Sequence, residues 1–192
     1  MEKIQDKISF SNEDSSTKYF LLGTYENNNT FTYEMKINNF GKKKKINFTS
    51  IQQALEYVSY ASTKPEKEIE KESLIKTCNE IMSCDTVEKM KNFKTEAKKR
   101  TDWSYFSEDG DHFPIACRFL FEIYLAKFEK NEKYLQVLME TGDKIIEETS
   151  DNSFLGINKK GKEDFLGKIL MIVRAHLRKK NGSTKNRLEE SN

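Results

Sequence analysis

Hydrophobic positions recur along the chain at two spacings, one near the N-terminus with a period of two and one of three to four residues over most of the remainder. Phe31, Tyr33, Met35 and Ile37 alternate with Thr32, Glu34 and Lys36, the pattern of a half-buried strand. Turn-forming runs flank it, Asn27-Asn28-Asn29 before and Asn38-Asn39-Phe40-Gly41 after. Two further segments read as strands: the aromatic and apolar stretch Lys18–Thr24, and Ile46–Thr49 as a short edge. Residues 1–17 end in the polar run Ser11–Ser16 and read as a loose lead-in.

Helical spacing takes over at Ser50, where Ser50 and Gln53 form a capping-box pair ahead of Ala54, Leu55 and Val58. The polar stretch Thr63-Lys64-Pro65 interrupts the pattern, which resumes through Ile69, Leu74, Ile75, Cys78, Ile81 and Met82. Asp85 and Glu88 are positioned to cap a helix carrying Val87, Met90 and Phe93. Phe113–Phe128, with Pro114 in its first turn, is the most apolar helix and the expected centre of the core. A shorter helix holds Tyr134, Leu135 and Leu138, and Ile145 and Ile146 suit a strand. Asp164 stands as N-cap before a last helix with the stripe Leu166, Ile169, Leu170, Val173 and Leu177. The pattern predicts an α+β fold: one domain over 18–178, a small sheet from the N-terminal half and a C-terminal strand packed with several helices. A polar, disordered tail is expected over 179–192. No internal repeat is visible.

Composition narrows the functional classes. The chain has 192 residues, 36% hydrophobic and 33% charged, which suits one domain with a modest core. Its 33 basic and 31 acidic residues leave a net charge of +2, so no whole-protein field points to nucleic acid, and Lys42–Lys45 read as a solvated loop. No apolar run is long enough to span a bilayer and the opening residues are polar, so an intracellular, cytoplasmic protein away from membranes is expected. Cys78, Cys84 and Cys117 cannot all pair within one chain, and with only His112 and His176 no zinc pattern forms; reduced structural thiols and no cofactor are expected. His112, after the turn-like Asp109-Gly110-Asp111, reads as a loop histidine. His176, one turn after Ile172, is expected on the packed face of the last helix. Glu147, Glu148 and Asp151 read as a hydrophilic strand end rather than a metal site. The Gly-x-x-Gly arrangements lack phosphate-loop spacing.

The C-terminal half carries a more specific signal. Ala126-Lys127-Phe128 and Asn131 are followed by Thr141-Gly142-Asp143-Lys144, then Glu147, Gly156-Ile157, and Leu166-Gly167 with Leu170-Met171 and Val173-Arg174. Upstream, Phe48–Gln53 opens a helix. This order resembles the NADAR (YbiA-like) N-glycosidase family, over roughly residues 18–178 and least between 61 and 100. The three glycines at matching gaps are harder to produce by helix patterning than the apolar pairs around them.

The resemblance implies hydrolysis of an N-glycosidic bond to ribose, in ADP-ribose attached to a base or in ribosylated riboflavin precursors. A carboxylate must then stabilise an oxocarbenium-like carbon or activate water. By the family's pattern a Glu falls at Gln52, a Lys at Ser59, a Trp at His112, an Asp at Asn152 and a second Trp at Leu155, just before the turn Gly156. Gln and Asn keep the shape and hydrogen bonding of the acids but carry no charge and take no proton. The expectation is a degenerate domain that binds an ADP-ribose-type or other N-riboside, or a protein partner, with Gln52, Ser59, His112, Asn152 and Gly156 as ligand-binding candidates. One alternative is an active N-glycosidase in which Glu56 or Asp151 supplies the acid and Trp103 the ring; another is a structural or assembly protein.

Overall fold

The computed structural model describes residues 6–11, 14–25, 30–36, 43–103, 114–149 and 164–189. Four strands and six helices lie in these stretches: β1 (Lys7–Phe10), β2 (Phe31–Lys36), β3 (Lys43–Phe48), α1 (Ile51–Ala61), α2 (Glu68–Met82), α3 (Val87–Asn92), α4 (Ile115–Glu129), α5 (Glu132–Glu140), β4 (Ile145–Glu148) and α6 (Phe165–Glu189). The fold is α+β, as the pattern predicts. The chain divides into two compact units, one of residues 1–23 with 128–192 and one of residues 24–127. Among the described residues, no helix is long and apolar enough to cross a membrane.

In the first unit β1 pairs in parallel with β4, Ile8 opposite Ile146. This strand falls inside the segment expected to be loose; its four residues, with Ile8 and Phe10 buried, gain their ladder from the distant β4. Lys18–Leu22, read as a strand, is instead a short 3-10 helix, with the Gly23 N–H bonded to the Phe20 carbonyl at 2.9 Å. A brief apolar run suits either state, and here its N–H groups bond locally. The last helix buries Leu166, Ile169, Leu170, Val173 and Leu177 as anticipated. His176 does not join them: it and Ile172, at i and i+4, share the exposed face, because a residue one step before Val173 is turned about 100° from it. The helix continues to Glu189, over residues whose polar sequence suggests a tail.

The motif residues of the C-terminal half hold this unit together. The buried Arg174 donates to Thr141 Oγ1 at 2.7 Å and to the Lys144 carbonyl at 3.0 Å. Arg178 donates to the Asp143 carboxylate at 2.6 Å and to the Gly142 carbonyl at 2.7 Å, so α6 grips the whole Thr-Gly-Asp-Lys turn. Gly142 occupies the turn with φ +56°, a conformation that favours glycine. Asp164 caps α6 by accepting from Gly167 N at 2.7 Å, and its other oxygen accepts from Glu148 N in β4 at 2.9 Å. Glu147 pairs with Lys7 at 2.6 Å, whereas Glu148 is fully buried rather than an exposed strand end.

Burial pushes the Asp164 carboxyl up to about 6, against the pull of those two N–H groups and with the help of Glu148 and Glu147. A raised folded-state value means that the stabilising contribution is complete below the unfolded value near 4 and is lost as pH rises through about 6. Asp164→Asn removes this titration. The stability advantage of the wild type over the variant, measured by urea unfolding, is therefore expected to be largest near pH 4 and to shrink by about 1–2 kcal/mol toward pH 7. A pH-independent difference would show that Asp164 does not titrate in this range.

In the second unit β2 and β3 form an antiparallel pair, with Phe31 opposite Phe48 and Tyr33 opposite Ile46. Lys43, Lys44 and Lys45 are exposed, as a solvated run should be, but they form the first half of β3 instead of a loop, and Lys43 and Lys45 flank Glu34 at 3.2 and 4.0 Å. The cap of α3 is Thr86, whose hydroxyl accepts from Lys89 N at 3.2 Å; Asp85 instead pairs with the Lys89 side chain at 2.7 Å. The first-turn N–H groups of α4 are met by the 102–103 segment, Ala116 N bonding the Trp103 carbonyl at 3.2 Å. All three cysteines are free and buried, and burial pushes the thiols of Cys78 and Cys117 up to about 11, which removes thiolate reactivity.

Candidate functional site

Helix α1 is buried on all sides except one. Nine of its eleven residues are inaccessible, and the two that are not are Gln52 and Glu56. With Tyr60 these stand at i, i+4 and i+8, one face of the helix, and that face lines a cleft of about 550 Å³. Met90 and Lys91 of α3, with Phe93, Lys94, Thr95 and Lys99, form the rest of the wall, and Tyr25 completes the rim. The cleft lies wholly within the second unit.

Local sequence fixes which glutamine faces the cleft. Ser50 Oγ accepts from Gln53 N at 3.1 Å, completing the expected N-cap. The Gln53 side chain turns inward, accepting from Thr49 N at 2.8 Å and donating to the carbonyls of Ile81 and Cys84 at 3.2 and 2.9 Å. Gln53 thus ties α1 to the end of α2, and its neighbour Gln52, anchored by its own N–H to the Thr24 carbonyl at 2.8 Å, projects to the open side. The far wall is equally fixed. Thr95 Oγ1 bonds Thr77 Oγ1 at 3.0 Å and accepts from Ala97 N at 3.1 Å, and Arg100 N donates to Thr63 Oγ1 at 3.0 Å.

The polar groups of the cleft are coupled. Glu56 Oε1 accepts from Gln52 Nε2 at 3.4 Å, and Glu56 Oε2 pairs with Lys99 Nζ at 2.8 Å. Lys99 also lies 5.3 Å from the centre of the Tyr60 ring, and Lys91 5.0 Å from that of Tyr25. Burial first, then the charges of Glu56 and Cys78, push the Tyr60 hydroxyl up to about 12. Among the described lining residues, Lys91, Lys94 and Lys99 stand against one carboxylate, Glu56, a net charge of +2.

Of the residues singled out from the sequence, Gln52 and Glu56 meet in this cleft. Ser59 does not line it: fully buried, its hydroxyl donates to the Glu56 carbonyl at 2.7 Å and so serves the helix. Trp103 is half-buried and stacks on Phe119, ring centres 5.9 Å apart. His112, Asp151, Asn152, Leu155 and Gly156 lie outside the described residues, as do the turns expected at 27–29 and 38–41. Sequence reasoning missed Lys91, Phe93, Lys94 and Lys99, which lie where the family resemblance is least; their only signal was the basic, aromatic-containing run Lys89–Arg100. A second hollow, about 490 Å³, lies beside Glu72, Ile75 and Lys76 on the outer face of α2, and all its walls come from α2 and its C-terminal cap. Among the described residues, no group of three or more His, Cys, Asp or Glu could hold a metal.

The NADAR domain matches residues 9–178, nearly the whole chain. The chain belongs to the NADAR-domain family. Its structure is similar to the NMR structure of the E. coli protein YbiA, with a TM-score of 0.57, 16% sequence identity, and coverage of 92% of this chain and 88% of that one. No curated protein matches the chain.

Proposed function

We propose that this NADAR domain holds an ADP-ribose-type or other N-riboside ligand in the α1 cleft with little or no hydrolysis. The observation that supports this reading is Gln52, a neutral amide on the cleft face of α1 where the family resemblance leads one to expect a carboxylate. An amide can hold a ribose hydroxyl or a base edge by hydrogen bonds, but it neither offsets positive charge at an oxocarbenium-like carbon nor takes a proton from water. The nearby Glu56 carboxylate already contacts the Gln52 amide and the Lys99 ammonium, so a ligand would compete with both for it.

One observation favours the second reading, an active N-glycosidase: Glu56 is a carboxylate in the same cleft, one helical turn from Gln52. The two separate in one experiment. The protein is titrated with ADP-ribose in a calorimeter and incubated in parallel with ADP-ribosylated guanosine and with a ribosylaminopyrimidine. Binding of ADP-ribose without released base supports the binding domain. Turnover that disappears in Glu56→Ala supports the enzyme. Absence of both binding and turnover at millimolar ligand removes the riboside from either reading.

A further inference from the structure

We propose that the cleft recognises the anionic end of its ligand, a phosphate or pyrophosphate group, through a wall of Lys91, Lys94 and Lys99, and that Glu56 restrains this binding instead of contributing to it. The inference deepens the riboside-binding reading and rests on it for the neutral part of the ligand.

Charge and placement carry the argument. Among the described residues three lysines and one carboxylate line the same hollow, so an entering anion meets a net positive field. The aromatic rings position two of the three cations, Lys91 near Tyr25 and Lys99 near Tyr60. Each ammonium has three N–H donors, so Lys99 keeps donors for a ligand after its bond to Glu56. Lys94 is exposed and makes no ion pair among the described residues. The wall is also built in advance: the Thr95–Thr77 and Arg100–Thr63 bonds hold the 93–99 segment against α2 and the end of α1, which lowers the ordering cost of binding.

The role of Glu56 follows from the same geometry. An anion approaching Lys99 meets the Glu56 carboxylate, already 2.8 Å from that ammonium, as a competitor of like charge. Neutralising Glu56 takes the described lining from +2 to +3 and releases Lys99. Glu56→Gln should then tighten binding of anionic ligands. A carboxylate that held ribose hydroxyls would have the opposite effect when neutralised, so the sign of the change distinguishes the two roles.

The test is calorimetry on the full chain with adenosine, AMP, ADP-ribose and inorganic pyrophosphate, at low and at physiological salt. AMP and ADP-ribose are expected to bind about tenfold or more tighter than adenosine at low salt, with the gap narrowing as salt rises. Lys94→Gln, at an exposed position that leaves folding intact, should weaken AMP about tenfold with adenosine unchanged. Lys94→Arg should retain most of the affinity, Glu56→Gln should strengthen AMP severalfold, and Lys76→Gln on the outer face of α2 should change nothing. If adenosine binds as well as AMP, the lysine wall is overturned while the riboside reading stands. If pyrophosphate binds as tightly as ADP-ribose, the wall stands and the riboside reading falls. If none of the four binds, both fall. If Glu56→Gln weakens AMP, the restraining role is wrong.

Discussion

Gly167→Ala is expected to destabilise the protein by about 3 kcal/mol or more, enough to leave much of a marginally stable domain unfolded. A methyl group at this position would lie 2.1 Å from the Ile146 carbonyl oxygen and 2.2 Å from Asp164 Oδ2. Neither can withdraw cheaply. Ile146 is a backbone position in β4, paired with β1, and Asp164 is held by N–H groups from both α6 and β4. The helix must therefore move off the strand or the cap must break, and either exposes the stripe buried by α6. Gly142→Ala supplies the contrast. Nothing lies within 4 Å of the added methyl, so only the strain of φ +56° is felt, about 1 kcal/mol. Urea unfolding of the three proteins measures both effects. A Gly167→Ala midpoint close to that of the wild type would mean that the close α6–β4 approach does not limit stability.

Gln52→Glu is expected to raise release of base from an ADP-ribosylated base or a ribosylaminopyrimidine by about 10²-fold over the wild type. The substitution keeps the length of the side chain and puts a carboxylate on the cleft face of α1 beside Glu56. Two carboxylates at the 3.4 Å separation of the present Gln52–Glu56 contact resist joint ionisation, and Lys99 partly relieves the repulsion. One group then tends to hold a proton while the other stays charged, the division of labour that acid and base steps require. A bell-shaped pH profile for the gained activity is the signature, and Glu56→Gln in the same background should remove one limb of it. An inert Gln52→Glu variant that melts normally would show that a carboxylate at position 52 does not suffice for hydrolysis.

The two predictions separate what the family motif means in this chain. Thr141, Gly142, Lys144, Gly167 and Arg174, among the residues that carry the resemblance, are engaged in holding α6 on β4 and on the turn before it. They explain why the fold is kept, and they do not touch the cleft where chemistry would occur.

The sequence by itself determined the elements whose signal is periodic and local: the alternation of β2, the capped start of α1 at Ser50, the Asp164 cap and the buried stripe of α6. The family resemblance also marked Gln52, with Glu56 as an alternative acid one helical turn on. Tertiary structure alone decided the rest. β1 exists because β4 pairs with it across more than a hundred residues, an interaction that no window along the chain contains. How Gln53 is held was settled by the carbonyls of Ile81 and Cys84, which take its amide into the interior and leave Gln52 on the cleft side. The lysines of the cleft showed only as part of a basic run, because a charge acquires a partner or a field only when distant segments fold around the same hollow.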